Sequence, residues 1–266
     1  MTTAALFCAI NAFAADAFAA KKSTTTTTTT TGTPAPAPDL VPYTANYTAS
    51  MSGFPVTADV QRTLVQNRDN SWTLSFNAKI LVFTLKAKSR FQYDGGQIQP
   101  SAYKMRVNAF GSRDSAELIF DRAKKIISSR EKKKRWQLDL QKADLDYVSA
   151  QQQLQMDAIK GLKAFNYHII DEDERDNVQF RLEGEEIIKT PVGSLNTTRL
   201  KLVRDDDKRQ TWLWLAKDWH DLPVQMKQVE KDKEYRIILD TAVFGNKTIQ
   251  GLQRKGLKKT VSEAKR

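Results

Sequence analysis

TPVGSLNTTRLKLVRDDDKRQTWLWLAKDWHDLPVQMKQVEKDKEYRIILDTAV, residues Thr190 to Val243, alternates polar and apolar side chains along successive runs. Charged or Gly/Pro-marked corners separate the runs, at Asp205-Asp206-Asp207 and again from Lys217 to Leu222. A period of two with turn chemistry between runs is the signature of antiparallel strands. Trp212 and Trp214 fall on one face of their run, and Leu213 and Leu215 on the other. A strand apolar on both faces belongs inside a packed structure and not at a wet edge.

The same period extends upstream. Tyr43, Ala45, Tyr47, Ala49 and Met51 alternate with Thr44, Asn46, Thr48 and Ser50. Ser52-Gly53 turns the chain into a run carrying Val56, Ala58 and Val60, with Pro55 tolerable at its start. Trp72, Leu74, Phe76, Ala78 and Ile80 form a long strict alternation, continued by Phe83, Leu85, Ala87, Phe91 and Tyr93 to the hairpin signal Asp94-Gly95-Gly96. Further strands are predicted at Ile98 to Val107, Ser115 to Phe120, Lys124 to Ser129 and Arg135 to Leu140, then at Phe165 to Ile169 and Val178 to Leu182, ending at Gly184. Short connections make sequence neighbours sheet neighbours. One stretch breaks the period: YVSAQQQLQMDAI, rich in helix formers, predicts a helix near 148–160, capped by Asp144 or Ser149 and ended by Gly161. The expected fold is mainly β, a curved antiparallel sheet forming an open half-barrel or barrel of long strands. Its one short helix would plug an end or a face.

The ends of the chain read differently. Residues 1–20 carry an apolar core followed by small-x-small sites at Ala12-Phe13-Ala14 and Ala17-Phe18-Ala19, the pattern of a secretory signal, although no Lys or Arg precedes the core. Residues 21–40 hold a threonine homopolymer and Pro-Ala repeats, and are expected to be a disordered linker with nothing to bury. The single folded domain is expected over 41–244, followed by a basic, disordered tail over 245–266 that carries few apolar residues. Cys8, the only cysteine, lies inside the signal, so a processed chain would have neither a disulfide nor a thiolate metal site. The expectation is a periplasmic, exported protein.

Several short elements recur in a fixed order: Pro42-Tyr43-x-Ala45-x-Tyr47, Asp146-Tyr147 with QQQLQMD, Glu183-Gly184-Glu185, Thr190-Pro191-x-Gly193, Trp214-x-Ala216 and Leu222-Pro223-Val224. In that order and spacing the chain resembles the exported bacterial family known as domain of unknown function 3108, over roughly Val41 to Val243. The resemblance implies a Gram-negative periplasmic, sheet-dominated domain. It supplies neither an activity nor catalytic residues. A likeness in shape to the open half-barrels that ferry lipoproteins across the periplasm is also expected, on architecture alone.

No catalytic set stands out. His220 sits between carboxylates in Lys217-Asp218-Trp219-His220-Asp221, but no Gly-x-Ser-x-Gly elbow supplies a nucleophile. The plainer reading of this corner is Asp218 capping a turn while Trp219 packs down. Two histidines without short ligand spacings argue against zinc, the acidic corners lack a calcium-loop pattern, and no Gly-rich loop cradles a phosphate. No cofactor or metal is therefore expected. The net charge of +11 asks for something anionic. Lys124 and Lys125, with Arg130, Lys132, Lys133, Lys134 and Arg135, are the candidate contacts to an anionic membrane surface of phospholipid or lipopolysaccharide. The alternative is a lysine-rich hairpin corner that keeps an edge strand from pairing. Nucleic acid is not an expected partner, because Trp136 is the only stacking aromatic beside the run and export removes the chain from nucleic acid.

These observations favour a non-enzymatic periplasmic module that binds an apolar ligand, lipid-like or peptide, or an envelope protein, and serves cell-envelope maintenance. The alternatives are an outer-membrane-associated β-barrel and an envelope hydrolase acting through His220 and Asp218.

Overall fold

Strict alternation becomes strict burial. In β1 (Tyr43–Met51) every odd-numbered side chain is buried and every even one is partly exposed. The same holds in β3 (Trp72–Ile80), where Trp72, Leu74, Phe76, Ala78 and Ile80 all face the core. The structure is a computed structural model that describes residues 37–252 apart from 82, 110, 130–134 and 172. The segment expected to be a signal and most of the expected spacer thus lie outside the described residues.

Two meanders make one sheet. The first runs through β1, β2 (Phe54–Gln66), β3, β4 (Phe83–Asp94), β5 (Gln97–Ala109), β6 (Ser112–Asp121), β7 (Ile126–Ser129) and β8 (Gln137–Asp139). The second comprises β9 (Asp144–Leu145), β10 (Ala164–Asp171), β11 (Glu174–Thr190), β12 (Gly193–Leu202), β13 (Arg209–Ala216), β14 (Leu222–Glu230) and β15 (Lys233–Phe244). Within each meander, strands adjacent in sequence are adjacent in space, and β1 pairs antiparallel with β15 to weld the two together. The resulting order places β8 at one edge and β9 at the other, so the sheet is curved but not closed by a hydrogen-bonded ladder. A short β16 (Lys247–Thr248) pairs with β15, off the main path.

The inner face is apolar and the outer face polar. Leu85 and Ala87 point inward on β4, while Lys86, Lys88 and Arg90 alternate outward. A membrane-spanning barrel needs the opposite polarity on its outer face.

The sole α-helix among the described residues, α1 (Tyr147–Ile159), plugs one end of this shell. Its cap is Asp146, not Asp144 or Ser149: the Asp146 carboxylate accepts from the backbone N–H groups of Val148 and Ser149, and Ser149 Oγ accepts from the Asp146 N–H in return. Gly161, with φ +74°, follows the helix as expected.

Two boundaries differ from the sequence reading. The run expected to end at Gly184 continues to Thr190, because the register between β11 and β12 shifts at Leu182/Gly184. Gly184 has φ +144°, so the glycine marks a bulge inside a strand and not its end. The fold also continues past Phe244. Ile249 is buried, and the N–H groups of Gly251 and Leu252 donate to Val192 and Ser194 carbonyls, so this stretch straps the start of β12. The basic tail beyond Leu252 lies outside the described residues.

Candidate functional site

The helix that covers the shell is buried from Tyr147 to Asp157, and about half of its side chains are polar. Gln152, Gln153 and Gln155 are almost wholly inaccessible. Each reaches a different part of the sheet. Gln153 Oε1 accepts from the Ile98 N–H at 2.7 Å, while its Nε2 donates to the Gly96 carbonyl at 3.1 Å and to Asp157 at 2.9 Å. Lys160 Nζ donates to the same Gly96 carbonyl at 2.6 Å. Gln155 Nε2 donates to the His220 carbonyl at 2.8 Å. Gln152 Oε1 accepts from the Tyr43 hydroxyl at 3.2 Å. Three hairpin and strand ends are thereby tied to one helix by directional bonds, in addition to the buried apolar side chains Tyr147, Val148, Ala150, Leu154 and Met156.

Beneath the plug lies Arg62. On β2 the inward register reads Ala58, Val60, Arg62, Leu64, and Arg62 is 1% exposed. Its cross-strand partners are Ala45 on β1 and Phe76 on β3. Among the described residues none of its three guanidinium nitrogens has a hydrogen-bond partner. The guanidinium carbon stands 5.7 Å from the centre of the Tyr43 ring, a cation–π contact. It also lies beside the Tyr43 hydroxyl, close enough to act on its ionisation yet off hydrogen-bonding geometry. Burial pushes the Tyr43 and Tyr47 hydroxyls up, and the Arg62 charge pulls both back down in part. Tyr47 spends its proton on the Pro223 carbonyl at 2.8 Å. An aromatic column leads outward from here: Tyr43 stacks on Phe244 at 5.4 Å, and Phe244 stacks on His220 at 4.7 Å, both nearly parallel.

His220 therefore has a packing role. It adopts φ +53°, its ring lies on Phe244, and no hydrogen bond links that ring to Asp218 among the described residues. Asp218 accepts from Asn196 Nδ2 at 3.0 Å and does not cap the turn, which carries no side-chain cap bond. Trp219 packs against the core and donates Nε1 to the Gln250 carbonyl at 3.2 Å.

The basic candidates are divided. Lys124 and Lys125 occupy the exposed turn between β6 and β7, where Lys124 pairs with Asp121 at 3.5 Å. Arg135 stands exposed beyond the other end of β7, roughly 13 Å away at strand spacing. Arg130, Lys132, Lys133 and Lys134 lie outside the described residues.

The sequence reading overlooked Arg62. Its signal was present: a charge in the apolar register of an otherwise regular alternation.

A family model described as "Protein of unknown function (DUF3108)" matches residues 42–240. No curated protein matches. Among solved structures, the chain is similar to a β-barrel-like protein of domain of unknown function DUF1849 from Brucella abortus, at 10% identity and TM-score 0.51, covering 77% of this chain and 98% of that one. It also aligns with a DUF1329 family protein from Desulfovibrio piger ATCC 29098 at 9% identity and TM-score 0.24, over 76% and 85% of the two chains. The first likeness shows a shared barrel-like fold; the second is too weak to carry an argument. No helix among the described residues is long and apolar enough to cross a membrane.

Proposed function

The chain belongs to the DUF3108 family, and on that premise we propose that it is a non-enzymatic, exported protein of the Gram-negative periplasm. In this role the curved sheet holds an apolar ligand and α1 acts as its cover. The observation that carries the reading is how the cover is attached. Gln153 and Gln155 bond to the carbonyls of Gly96 and His220, which water can also satisfy if the helix swings away. Opening would also expose Tyr147, Val148, Ala150, Leu154 and Met156 of α1, at about 25 cal/mol per Å² of apolar surface. Its polar bonds are the part of the anchoring that water replaces on opening, and its apolar side chains set the remaining cost.

The basic residues on either end of β7 would hold the shell near anionic lipid, each contributing about 1 kcal/mol close to such a surface. Native mass spectrometry of protein purified from the periplasm of cells making the full chain tests the reading. A co-purified lipid-like species is expected. Protein that stays bare, together with loss of envelope function in a His220→Ala variant, would favour the hydrolase instead.

A further inference from the structure

We infer that the outer face of β4, β5 and β6, together with the β3–β4 turn at its margin, docks the protein onto an anionic phospholipid bilayer. This inference rests on the anionic-lipid part of the proposed function and deepens it by naming a face other than the ends of β7. The first observation is a register that a sheet left to itself disfavours. Lys86 lies directly opposite Arg106, and Lys88 directly opposite Lys104. Like charges facing each other across an antiparallel pair destabilise it. On β6, Arg113 lies opposite Asn108 of β5 and extends the group by one row. Lys86, Lys88, Arg106 and Arg113 are all exposed, and they alternate with the buried Leu85, Ala87 and Val107.

These charges are also left unmatched. Among the described residues, Lys104 alone of the five cations forms an ion pair, with Glu117 at 2.7 Å. Asp114, the other acid beside the group, shares the register of Val107 and accepts the Ser115 N–H. The second meander is built the other way. There Arg209 faces Glu230 directly and pairs with it, Lys227 and Arg236 share Glu234, and Arg199 holds Glu183 and Glu186. A sheet that can match its surface charges has left one face cationic at a cost in stability.

The surroundings select a bilayer as the partner. Arg106, Asn108, Arg113 and Ser115 line an open recess of about 560 Å³, with donors available to phosphate oxygens. The charged rows repeat at about 5 Å across strands and about 7 Å along them, so several headgroups are met at once. Leu81, in the turn between β3 and β4, is 75% exposed and held at φ +44°. Lys86 follows the start of β4 at Phe83 by about 10 Å along the strand, so the apolar tip adjoins the cations. Interfacial binding adds apolar burial to electrostatic attraction, a combination that neither free phosphate nor an acidic protein surface requires. The plug is at the far end of these strands, where Gln153 of α1 bonds to Gly96, so docking leaves the cover clear of the surface.

The test is flotation of the full chain with vesicles of phosphatidylcholine alone and of equal parts phosphatidylcholine and phosphatidylglycerol, at low and high salt. Wild type should float with the mixed vesicles only, and less so as salt rises. Lys86→Gln combined with Arg106→Gln should weaken that binding by about tenfold or more. Its melting temperature should equal or exceed that of wild type, because a facing like-charge pair is gone. Lys88→Gln combined with Arg113→Gln should lose a similar factor, and it guards against misfolding of the first variant. Leu81→Ser should weaken binding at both salt concentrations while keeping the salt dependence. Unchanged binding in both charge variants would overturn this inference; loss in a Lys124→Gln, Lys125→Gln variant beside it would leave the anionic-lipid reading standing. Wild-type binding by Leu81→Ser, with inorganic phosphate displacing the protein at matched ionic strength, would make this a small-anion site and overturn bilayer docking. Wild type that ignores the mixed vesicles would remove the anionic-lipid reading and this inference together, and leave an acidic protein as the occupant of the face.

Discussion

Arg175 of β11 grips Asp144 with two nitrogens, Nε to Oδ1 at 2.6 Å and Nη2 to Oδ2 at 2.8 Å, and the same Nη2 reaches the Asp139 carbonyl at 2.7 Å. Asp139 ends β8 and Asp144 begins β9, the two edge strands of the open sheet. One side chain therefore bridges the seam that no ladder closes. The geometry is the bidentate fork expected of strong arginine–carboxylate pairs.

The two partners should not be equivalent on mutation. Asp144 is fully buried, whereas the Arg175 side chain keeps 22% exposure and can turn to water if released. Arg175→Ala strands a buried carboxylate and should cost about 3–5 kcal/mol. Asp144→Asn keeps an acceptor for Arg175 and for the Gln141 N–H, so its cost should be clearly smaller. Urea denaturation of both variants checks the order; an equal or reversed order would show that the seam does not depend on the buried charge.

The helix cap should give the fold an acid-side preference. Burial pushes the Asp146 carboxyl from 3.8 up to about 6, against the lowering bonds from Ser89, Ser149 and Val148. Because the folded state binds this proton more tightly than the unfolded chain, stability is full below the unfolded pKa. It falls as pH rises from about 4 through 6, by about 3 kcal/mol for this group. Asp146→Asn keeps an oxygen for the Val148 and Ser149 N–H groups but cannot ionise. Relative to wild type the variant should gain stability across pH 4 to 6 by about that amount. A flat difference across that range, read from melts at each pH, would mean the carboxyl titrates normally.

The glutamines of α1 should divide by their partners. Gln153 makes three buried hydrogen bonds, whereas Gln151 leaves its Nε2 without one among the described residues. Gln153→Leu strands the Ile98 N–H and takes one of the donors to Asp157, which keeps Lys160 and Tyr167, and should cost about 1–3 kcal/mol. Gln151→Leu removes an unsatisfied donor and should be neutral or stabilising. Hydrogen exchange at Ile98 should accelerate in the first variant only. Acceleration in both would show that α1 is held by its apolar side chains and not by its amides.

Strand periodicity is a local property, and that is why so much of the architecture was legible. The β3 run from Trp72 to Ile80 and the Asn67 to Ser71 turn stand where the alternation and turn chemistry put them. The β1–β15 pairing was not legible, since Tyr43 meets Phe244 across the whole domain and no short-range pattern encodes that register. The plug shows a different limit. Its sequence announces a helix placed over an end or a face of the sheet, but the bonds that QQQLQMD makes to the carbonyls at Gly96 and His220 depend on the tertiary fold and have no local signature. Arg62 lay inside a legible run and was hidden by its own register, because alternation says which way a residue points and not whether its charge is met.

The strap at the end of the fold makes the last prediction. Gly251 crosses Gly193 so closely that a Cβ on Gly251 would stand 2.6 Å from the Gly193 Cα and 2.7 Å from the Ser194 nitrogen. Both obstacles are backbone, so no rotamer change can relieve the clash. Gly251→Ala must therefore lift residues 249–252 or shift the β11–β12 turn, at about 1–3 kcal/mol, the usual cost of overpacking. Lifting the strap would free the Trp219 Nε1–H from the Gln250 carbonyl and expose Ile249, which is now 2% accessible. The indole of Trp219 should then report the change as a red-shifted emission with easier quenching by iodide, and Arg62 and the helix plug should be unaffected. Unchanged emission with unchanged stability would mean that the close approach of the two glycines relaxes without cost, and that the strap contributes nothing to the shell.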